Sequence, residues 1–512
     1  MSIIDALWRN QRGNVAMMFA FTMIPLIGAV GAAVDYSRLS HMRTMLADSL
    51  DAALLAVGSQ PPMNNRQTLQ AVGDWMAVHM ATGATGTWQL DSVSQTDEKL
   101  VAVASANVDM TLSRVLGIEQ VPISITSEVV RTLDKVELVM VLDNTGSMRG
   151  IKITRLKEAA AALVDSLAEA TRDPAYLRIG LVPFSQTVNV GPQYRNADWL
   201  DADGKSATAR SLFLDQEVNR FDLFAALGET WGGCVETRAM PWEASGAAPD
   251  PSQPDSLYVP YFAPDEPGDR GERWYNNSYL DDRPLPAILA SVGHARAMVP
   301  TFQYLQGDPF KYAGQPYRGT TRAFGYVYGP NSGCEIAPLL RLSSDTAAVK
   351  TAVDAMIAQG NTDIPIGLAW GRNVLRPDGP FGDGVAYGNT EWTKVAVLMT
   401  DGNNENAEGN VEDESYYAGV GYIWQGRMGA TSARKPRRTE LRDQRLAEIC
   451  AEMKGNDIVI YTVRVEVKVG SSDVLRQCAS DEEKFYDVDN VADLVTAFAD
   501  IGSSIQKLRL AR

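Results

Sequence analysis

Apolar and polar positions follow three regimes along the chain. From Gly13 to Val34 no charged residue occurs, and Val15–Val34 reads VAMMFAFTMIPLIGAVGAAV. Twenty residues at about 1.5 Å rise span roughly 30 Å, the hydrocarbon thickness of a bilayer. The stretch is therefore expected to be a single transmembrane helix, in which Pro25 is tolerable. The alternative is a cleaved signal peptide with Gly31-Ala32-Ala33 as its small-residue site, but such peptides have apolar regions of only about 7–15 residues. Beyond the span, Leu39, Met42, Leu46, Leu50, Leu54 and Val57 recur in three- and four-residue steps. That spacing carries the helix on to Gly58 and the Pro61-Pro62 pair. A helix over Gln67–Met80 and short strands over Thr87–Val93, Leu100–Val108 and Val121–Val130 follow. They predict a small sheet for the long helix to cover, whereas a coiled-coil stalk would need sustained heptads that are not evident.

The third regime alternates buried strands with amphipathic helices. Val136–Leu142 (VELVMVL) is an apolar strand, and Leu156, Ala160, Leu163, Val164 and Leu167 mark one face of the helix after it. Strands are predicted over Leu177–Pro183, Lys394–Met399, Asp457–Val465 and Phe485–Val488. Helices are predicted over Ala347–Ile357, Ile366–Val374, Leu441–Met453, Val474–Cys478 and Val491–Leu508. This alternation specifies an α/β fold, a doubly wound, mostly parallel sheet with helices on both faces. Ligands in such sheets bind beyond the carboxyl ends of the strands. Three polar clusters lie there: Asp143, Thr145 and Ser147 after the first strand, Thr362 before a helix, and Asp401 after Lys394–Met399. All five offer hard oxygen atoms, which suit Mg²⁺, or Mn²⁺ or Ca²⁺, rather than zinc. A lone D-x-T-x-S is usually a capped helix entry. The strand context and the two partner clusters favour a metal site. Asp363 reads as a helix cap, and Asn403, Asn404 and Glu405 as a solvated loop.

Charge and composition narrow the function. The 512 residues carry 47 Lys+Arg against 63 Asp+Glu, a net charge of −16, which argues against nucleic-acid binding. Only His41, His79 and His294 are present, so a His-based zinc site or catalytic triad is not expected. Neither H-E-x-x-H nor G-x-S-x-G occurs. Gly204-Lys205-Ser206 ends like a phosphate loop, but Trp199 stands where its first Gly belongs. The chain is expected not to be an enzyme, with a divalent-metal hydrolase as a distant alternative. Residues 193–340 break the alternation and hold 14 of the 25 Pro and 10 of the 18 Tyr. They read as an ordered, turn-rich insertion that either shapes partner choice or covers the sheet edge. The favoured cysteine pairing, one of three connectivities, is Cys234–Cys334 and Cys450–Cys478, with free buried thiols as the alternative. Arg9 and Arg12 before the span balance Arg38 and Arg43 after it, so charge does not set orientation. Disulfides would place the bulk of the chain in an oxidising compartment such as a bacterial periplasm, with the N-terminus cytoplasmic.

Two resemblances rest on these residues. Asp143-Asn144-Thr145-Gly146-Ser147, with Thr362 and Asp401, resembles the metal-ion-dependent adhesion site (MIDAS) of von Willebrand factor A domains, over about residues 136–192 and 340–508. In that family the hydroxyls bind metal directly and the Asp residues bind directly or through water. A carboxylate from a protein partner often completes the shell. Arg12-Gly13-Asn14-Val15-Ala16, Val34-Asp35-Tyr36-Ser37-Arg38 and Ala52-Ala53-Leu54-Leu55-Ala56 resemble the start of TadE/TadG-type proteins of Flp (tight adherence) pilus assembly. The closing Leu508-Arg509-Leu510 also fits that family's end, and the joint architecture is similar to TadG. A prepilin would carry Glu five residues after Gly13, where Met18 stands. The implied organisation is an anchor and continuing helix over 1–60, a small α+β region over 61–133, and an A-like domain over 134–510 interrupted by 193–340. The implied role is a membrane-anchored, metal-dependent protein-binding component that meets other pilus-assembly proteins. The implied location is the bacterial inner membrane, with the bulk of the chain periplasmic. The alternative is a structural assembly subunit whose A domain is a scaffold with incidental metal.

Overall fold

The computed structural model describes residues 12–58, 60, 63–81, 86–96, 99–130, 135–171, 173–268, 277–292, 300–314, 317, 320–321, 327–406, 415–467 and 472–508. Arg9, Pro61, Pro62, His294, Arg509 and Leu510 lie outside them. The described chain is a mixed α/β protein of two compact units, divided at Asp134.

The first unit opens with helix α1 (Arg12–Gly58), continuous through Pro25. Helix α2 (Asn65–Met80) starts from a capping box: the Gln67 amide donates to Asn64 Oδ1 at 3.0 Å and the Asn64 amide to Gln67 Oε1 at 3.2 Å. Strands β1 (Gly86–Gln95), β2 (Lys99–Asp109) and β3 (Gln120–Val130) form an antiparallel sheet in that order. Every second residue of β2, Leu100, Ala102, Ala104, Ala106 and Val108, is buried in one core with Met42, Leu46, Leu50, Leu54 and Val57 of α1. The three- and four-residue stripe thus covers the sheet, as its spacing predicts. The helix Met18–Gly58 is long and apolar enough to cross a membrane. Its amino-terminal part contrasts with the rest, because Met18, Phe21, Leu26 and Val30 are all more than half exposed.

The second unit is built on an eight-stranded sheet. Its parallel part comprises β4 (Lys135–Asp143), β5 (Leu177–Phe184), β9 (Trp392–Thr400), β10 (Val459–Val465) and β11 (Phe485–Val488). Strands β6 (Val188–Asn189), β7 (Cys234–Val235) and β8 (Leu340–Ser343) add antiparallel pairs beside β5. The spatial order is β11-β10-β9-β4-β5-β6-β7. The chain leaves β4 toward β5 and later returns to β9 on the other side of β4, so the winding direction switches between β4 and β9. The helices are α3 (Ile151–Glu169), α4 (Thr346–Asp354), α5 (Ile364–Leu375), α6 (Lys435–Gly455), α7 (Ser472–Cys478) and α8 (Leu494–Leu508). Close packing of α5 on the sheet uses glycines: a Cβ on Gly371 would stand 2.5 Å from Val141 Cγ2, and one on Gly367 2.5 Å from Phe184 Cγ. Elsewhere on the sheet, the Tyr461 hydroxyl of β10 meets Ser504 of α8 at 2.8 Å.

Two helix starts differ from the periodicity by three residues or more. Helix α6 begins six residues before Leu441 because its first turns bury charge rather than hydrocarbon. Arg438 is fully buried and Arg442 nearly so, the latter pairing with Glu243 at 2.9 Å and Asp363 at 2.6 Å. Helix α8 begins at Leu494, after a 3₁₀ turn over Val491–Asp493 that Asn490 caps. The insertion includes, among its described residues, an aromatic layer. Trp199 packs edge-on to Trp370 and Tyr258, and Phe262 edge-on to Phe224 and Tyr312. It also holds short helices, such as Ala207–Leu212 and Arg220–Ala226, too short to display a helical period. The disulfides are Cys234–Cys334, within the insertion, and Cys450–Cys478, joining α6 to α7.

Candidate metal centre

In sheets whose winding switches, ligands bind beyond the carboxyl ends of the strands, and the five sequence-predicted oxygen donors lie at or near the carboxyl ends of β4 and β9. Asp143 is the last residue of β4. Met399 of β9 lies opposite Leu142, so the next residue, Thr400, stands opposite Asp143 and donates its hydroxyl to Asp143 Oδ2 at 2.7 Å. The other carboxylate oxygen of Asp143 accepts the Thr145 amide at 2.8 Å. That bond folds the chain back at once, so a 3₁₀ turn over Gly146–Met148 brings Ser147 beside Thr145, hydroxyl to hydroxyl at 2.9 Å. Ser147 donates in turn to Asp401 Oδ1 at 2.6 Å. Thr362 lies beside this cluster, next to the residue that follows Asp401: a Cβ on Gly402 would stand 3.7 Å from its Oγ1.

Backbone bonds hold the loops in register. The Gly146 amide donates to Gly360 O at 2.9 Å, Gln359 to Asn144 O at 2.6 Å, and Glu405 to Thr362 O at 2.7 Å. Asp143 is fully buried and Thr145, Thr362 and Asp401 nearly so, while Ser147 is exposed. The cluster therefore has a closed floor and one face open to solvent.

Its electrostatics are those of two acids held close together. Burial, and then the Asp401 charge, push the Asp143 carboxyl up to about 6, against the hydrogen bonds from Thr145 and Thr400. Sequence reasoning did not foresee the countercharge. Lys152, on the first turn of α3, donates to Asp401 Oδ2 at 2.7 Å and lies 3.4 Å from Glu466. Burial works against its ammonium, but Asp401 and Glu466 prevail and raise its pKa above the ordinary lysine value. The donor set is oxygen throughout, and the buried Asn144 side-chain carboxamide and Ser185 hydroxyl beside it have no hydrogen-bond partner among the described residues. Two carboxylates, three hydroxyls and an open face fit a hard divalent cation that keeps some of its waters. Among the described residues no three His, Cys, Asp or Glu side chains gather to hold a metal.

The neighbouring polar residues fall on both sides of expectation. Asp363 caps α5 as predicted, accepting the Ile366 amide at 3.3 Å. Asn404 is not solvated. It is buried, accepts the Ile364 amide at 2.8 Å and donates to Asp443 at 2.7 Å, which anchors the start of α5. Thr400 and Lys152 were missed. Thr400 precedes Asp401 on a strand, a position that marks it as facing the neighbouring strand's end. A lysine in the first turn of a helix, where the dipole disfavours cations, was the available signal for Lys152.

Comparison with known proteins adds the following. Residues 13–60 match the model of the TadE/G-like Flp pilus-assembly family. No curated protein matches the chain. Among solved structures the chain is similar to the pilus adhesin SpaC of Lactobacillus rhamnosus GG, with 10% identity and a TM-score of 0.32, over 82% of this chain and 35% of that one. It is similar to the vWF domain of the type V pili tip protein Mfa5 of Porphyromonas gingivalis, with 11% identity and a TM-score of 0.33, over 74% of this chain and 97% of that one. It is also similar to the pilus adhesin RrgA of Streptococcus pneumoniae, with 11% identity and a TM-score of 0.31, over 83% of this chain and 49% of that one. The chain thus spans about a third of SpaC and half of RrgA. At its N-terminus it carries a TadE/G-like pilus-assembly segment.

Proposed function

We propose that this is a membrane-anchored component of Flp pilus assembly whose second unit is a doubly wound, von Willebrand A-like domain that binds a protein partner through a divalent cation. The observation that carries the reading is the convergence of Asp143, Thr145, Ser147, Thr362 and Asp401 at the winding switch, with Ser147 open to solvent. In this reading Asp143, Thr145, Ser147, Thr362 and Asp401 would hold Mg²⁺, or Mn²⁺ or Ca²⁺, which when bound would supply a Lewis acid for a carboxylate of the partner. The buried Asp143 would form the floor and the exposed Ser147 the open face. The charge-free stretch of α1, Gly13 to Val34, anchors the chain in the bacterial inner membrane, N-terminus cytoplasmic. The two disulfides suit an oxidising periplasm for the bulk of it.

The test is capture of pilus-assembly proteins by the full chain with Mg²⁺, with a chelator, and with Asp143→Ala. The reading expects capture only in the first condition, and equal capture in all three overturns it. A second reading draws on Lys152, which already neutralises Asp401. Under it the domain is a scaffold and the metal incidental. An Asp143→Ala strain that assembles normal pili, beside a strain lacking Asp134–Gln506 that does not, supports that second reading.

A further inference from the structure

The Val34-Asp35-Tyr36-Ser37-Arg38 motif lies where the charge-free stretch ends, and the candidate metal centre leaves it unused. Asp35 is the first acid after 22 uncharged residues, Gly13 to Val34. It is nearly buried, by a contact far away in sequence. Its Oδ1 accepts the Thr111 amide at 2.8 Å, and its Oδ2 accepts the Leu112 and Ser113 amides at 3.1 and 2.7 Å. Arg38, one turn further on, donates to the Thr111 hydroxyl. One carboxylate thus satisfies three consecutive backbone donors of the loop between β2 and β3.

The clamp also sets the loop's height along α1. Leu112 lies against Gly31, where a Cβ would stand 2.8 Å from Leu112 Cβ, so only a glycine admits the contact. Gly31 precedes Val34 by three residues, about 4.5 Å along a helix. Leu112 therefore sits below the end of the charge-free stretch, level with side chains that are themselves exposed, such as Val30 and Val34. Leu112 remains 39% exposed and Ile118 47%. Between them Arg114 is exposed, and the turn closes on itself through Gly117 N to Arg114 O at 3.0 Å and Ile118 N to Ser113 O at 3.2 Å. Exposed aliphatics flanking an arginine suit a membrane interface, where the hydrocarbon enters and the guanidinium reaches phosphate. Bare amides at that depth would be costly in lipid, and Asp35 leaves none of the three bare.

We propose that the loop of residues 110–118 is a second membrane contact, in which Leu112 inserts among lipid acyl chains, Arg114 lies at the phosphate level, and Asp35 locks the loop to the transmembrane helix at that depth. The inference rests on the reading of α1 as a membrane span. The commitment to lipid rather than protein follows from continuity with the exposed apolar surface of α1 beside Gly31.

All four native cysteines are in disulfides, so Leu112→Cys gives the full chain one labelable thiol. A nitroxide there, in chain reconstituted into phosphatidylcholine–phosphatidylglycerol vesicles, is read by its relative accessibility to oxygen, which concentrates in lipid, and to a water-soluble nickel chelate. Thr96→Cys is the reference, in the turn at the far end of β2, roughly 35 Å away at about 3.4 Å per residue. The expected oxygen-to-nickel ratio is several-fold higher at 112 than at 96. Adding Asp35→Asn, which turns an acceptor oxygen into a donor, is expected to bring the ratio at 112 toward the reference while leaving 96 unchanged. Equal ratios at the two sites overturn the proposal. So does a label at 112 shielded from both reagents, which means a protein occupant. A ratio at 112 indifferent to Asp35→Asn overturns the clamp. Failure of the chain to float with the vesicles refutes the span itself, and this inference with it.

Discussion

The lysine in the candidate metal centre gives a prediction with a definite sign. A cation that uses Asp401 must first displace Lys152, whose ammonium lies 2.7 Å from Oδ2 while the Asp401 side chain is fully buried. A hydrogen bond to a charged group is worth about 1.5–3 kcal/mol, which corresponds to about ten- to a hundredfold in affinity. Glu466, 3.4 Å from the same ammonium, gives Lys152 a second place to rest, so the lower end applies. Lys152→Met keeps the aliphatic stem and removes the competitor. It is expected to tighten Mg²⁺ binding about tenfold by titration calorimetry of the full chain in detergent. Lys152→Arg, which keeps the charge, is not. Stability moves the opposite way. Without metal the variant leaves Asp143 and Asp401 facing each other uncompensated, so its melting temperature falls, and Mg²⁺ restores it. If Mg²⁺ binds Lys152→Met no more tightly than the natural chain, the lysine does not compete. If it binds more weakly, the lysine positions Asp401 for the metal, and the reasoning is wrong in sign.

Two further predictions concern stability. Opening Cys450–Cys478 with paired Ser substitutions releases a loop of 28 residues and is expected to cost about 3–4 kcal/mol in denaturant unfolding; opening Cys234–Cys334, with a separation of 100, should cost about 5. Losses under about 1 kcal/mol for both would mean that the staples add nothing to packing already complete. Glu335 holds one carboxylate oxygen buried without a partner among the described residues, and the other accepts the Gly333 amide at 2.9 Å. Burial pushes its carboxyl from the ordinary 4.5 up to about 7. The folded chain therefore holds the proton that the unfolded chain releases, and stability falls as pH rises from about 4.5 to about 7. Glu335→Gln removes that loss. Its stabilisation should grow through the same window and level off above it, with a ceiling of about 3 kcal/mol. A gain independent of pH would show that the carboxyl is not ionising there.

Local features were legible in the sequence, and features made by distant pairings were not. The strand Val136–Leu142 and the turn residues Asp143, Thr145 and Ser147 are contiguous, so a period-free apolar run followed by oxygen donors shows where a strand ends. Thr362 and Asp401 were legible for the same reason, each adjoining its own helix or strand. Lys152 reads as an ordinary helix-surface lysine until β9 brings Asp401 beside it from 249 residues away. The early start of α6 was hidden because its buried face is made of Arg438 and Arg442, and a hydrophobic pattern cannot register a face that is buried by ion pairing. Asn404 misled in the opposite sense, since a polar triplet looks solvated unless the helix end it caps is known. Asp35 was noticed as part of a motif, but its work is done on amides 76 to 78 residues away.

The charge arrangement has a consequence for how a partner would be bound. Asp143, Asp401 and Lys152 together carry at most one net negative charge, and Asp143 sits in a place where burial already opposes ionisation. Such a site alone is a weak ligand for a doubly charged ion. Under the proposed function, a partner carboxylate arriving at the open Ser147 face would add the negative charge that the lysine has cancelled. Metal and partner would then each raise the other's affinity, by thermodynamic linkage by the same factor. The second unit would hold little metal when idle and little partner when stripped of metal. The lysine would act as the threshold, because removing it would let the ion bind without the partner and so reduce the coupling between them. Comparing Mg²⁺ affinity with and without partner, in the natural chain and in Lys152→Met, isolates that coupling. A coupling of equal size in both chains would place the threshold elsewhere than in Lys152.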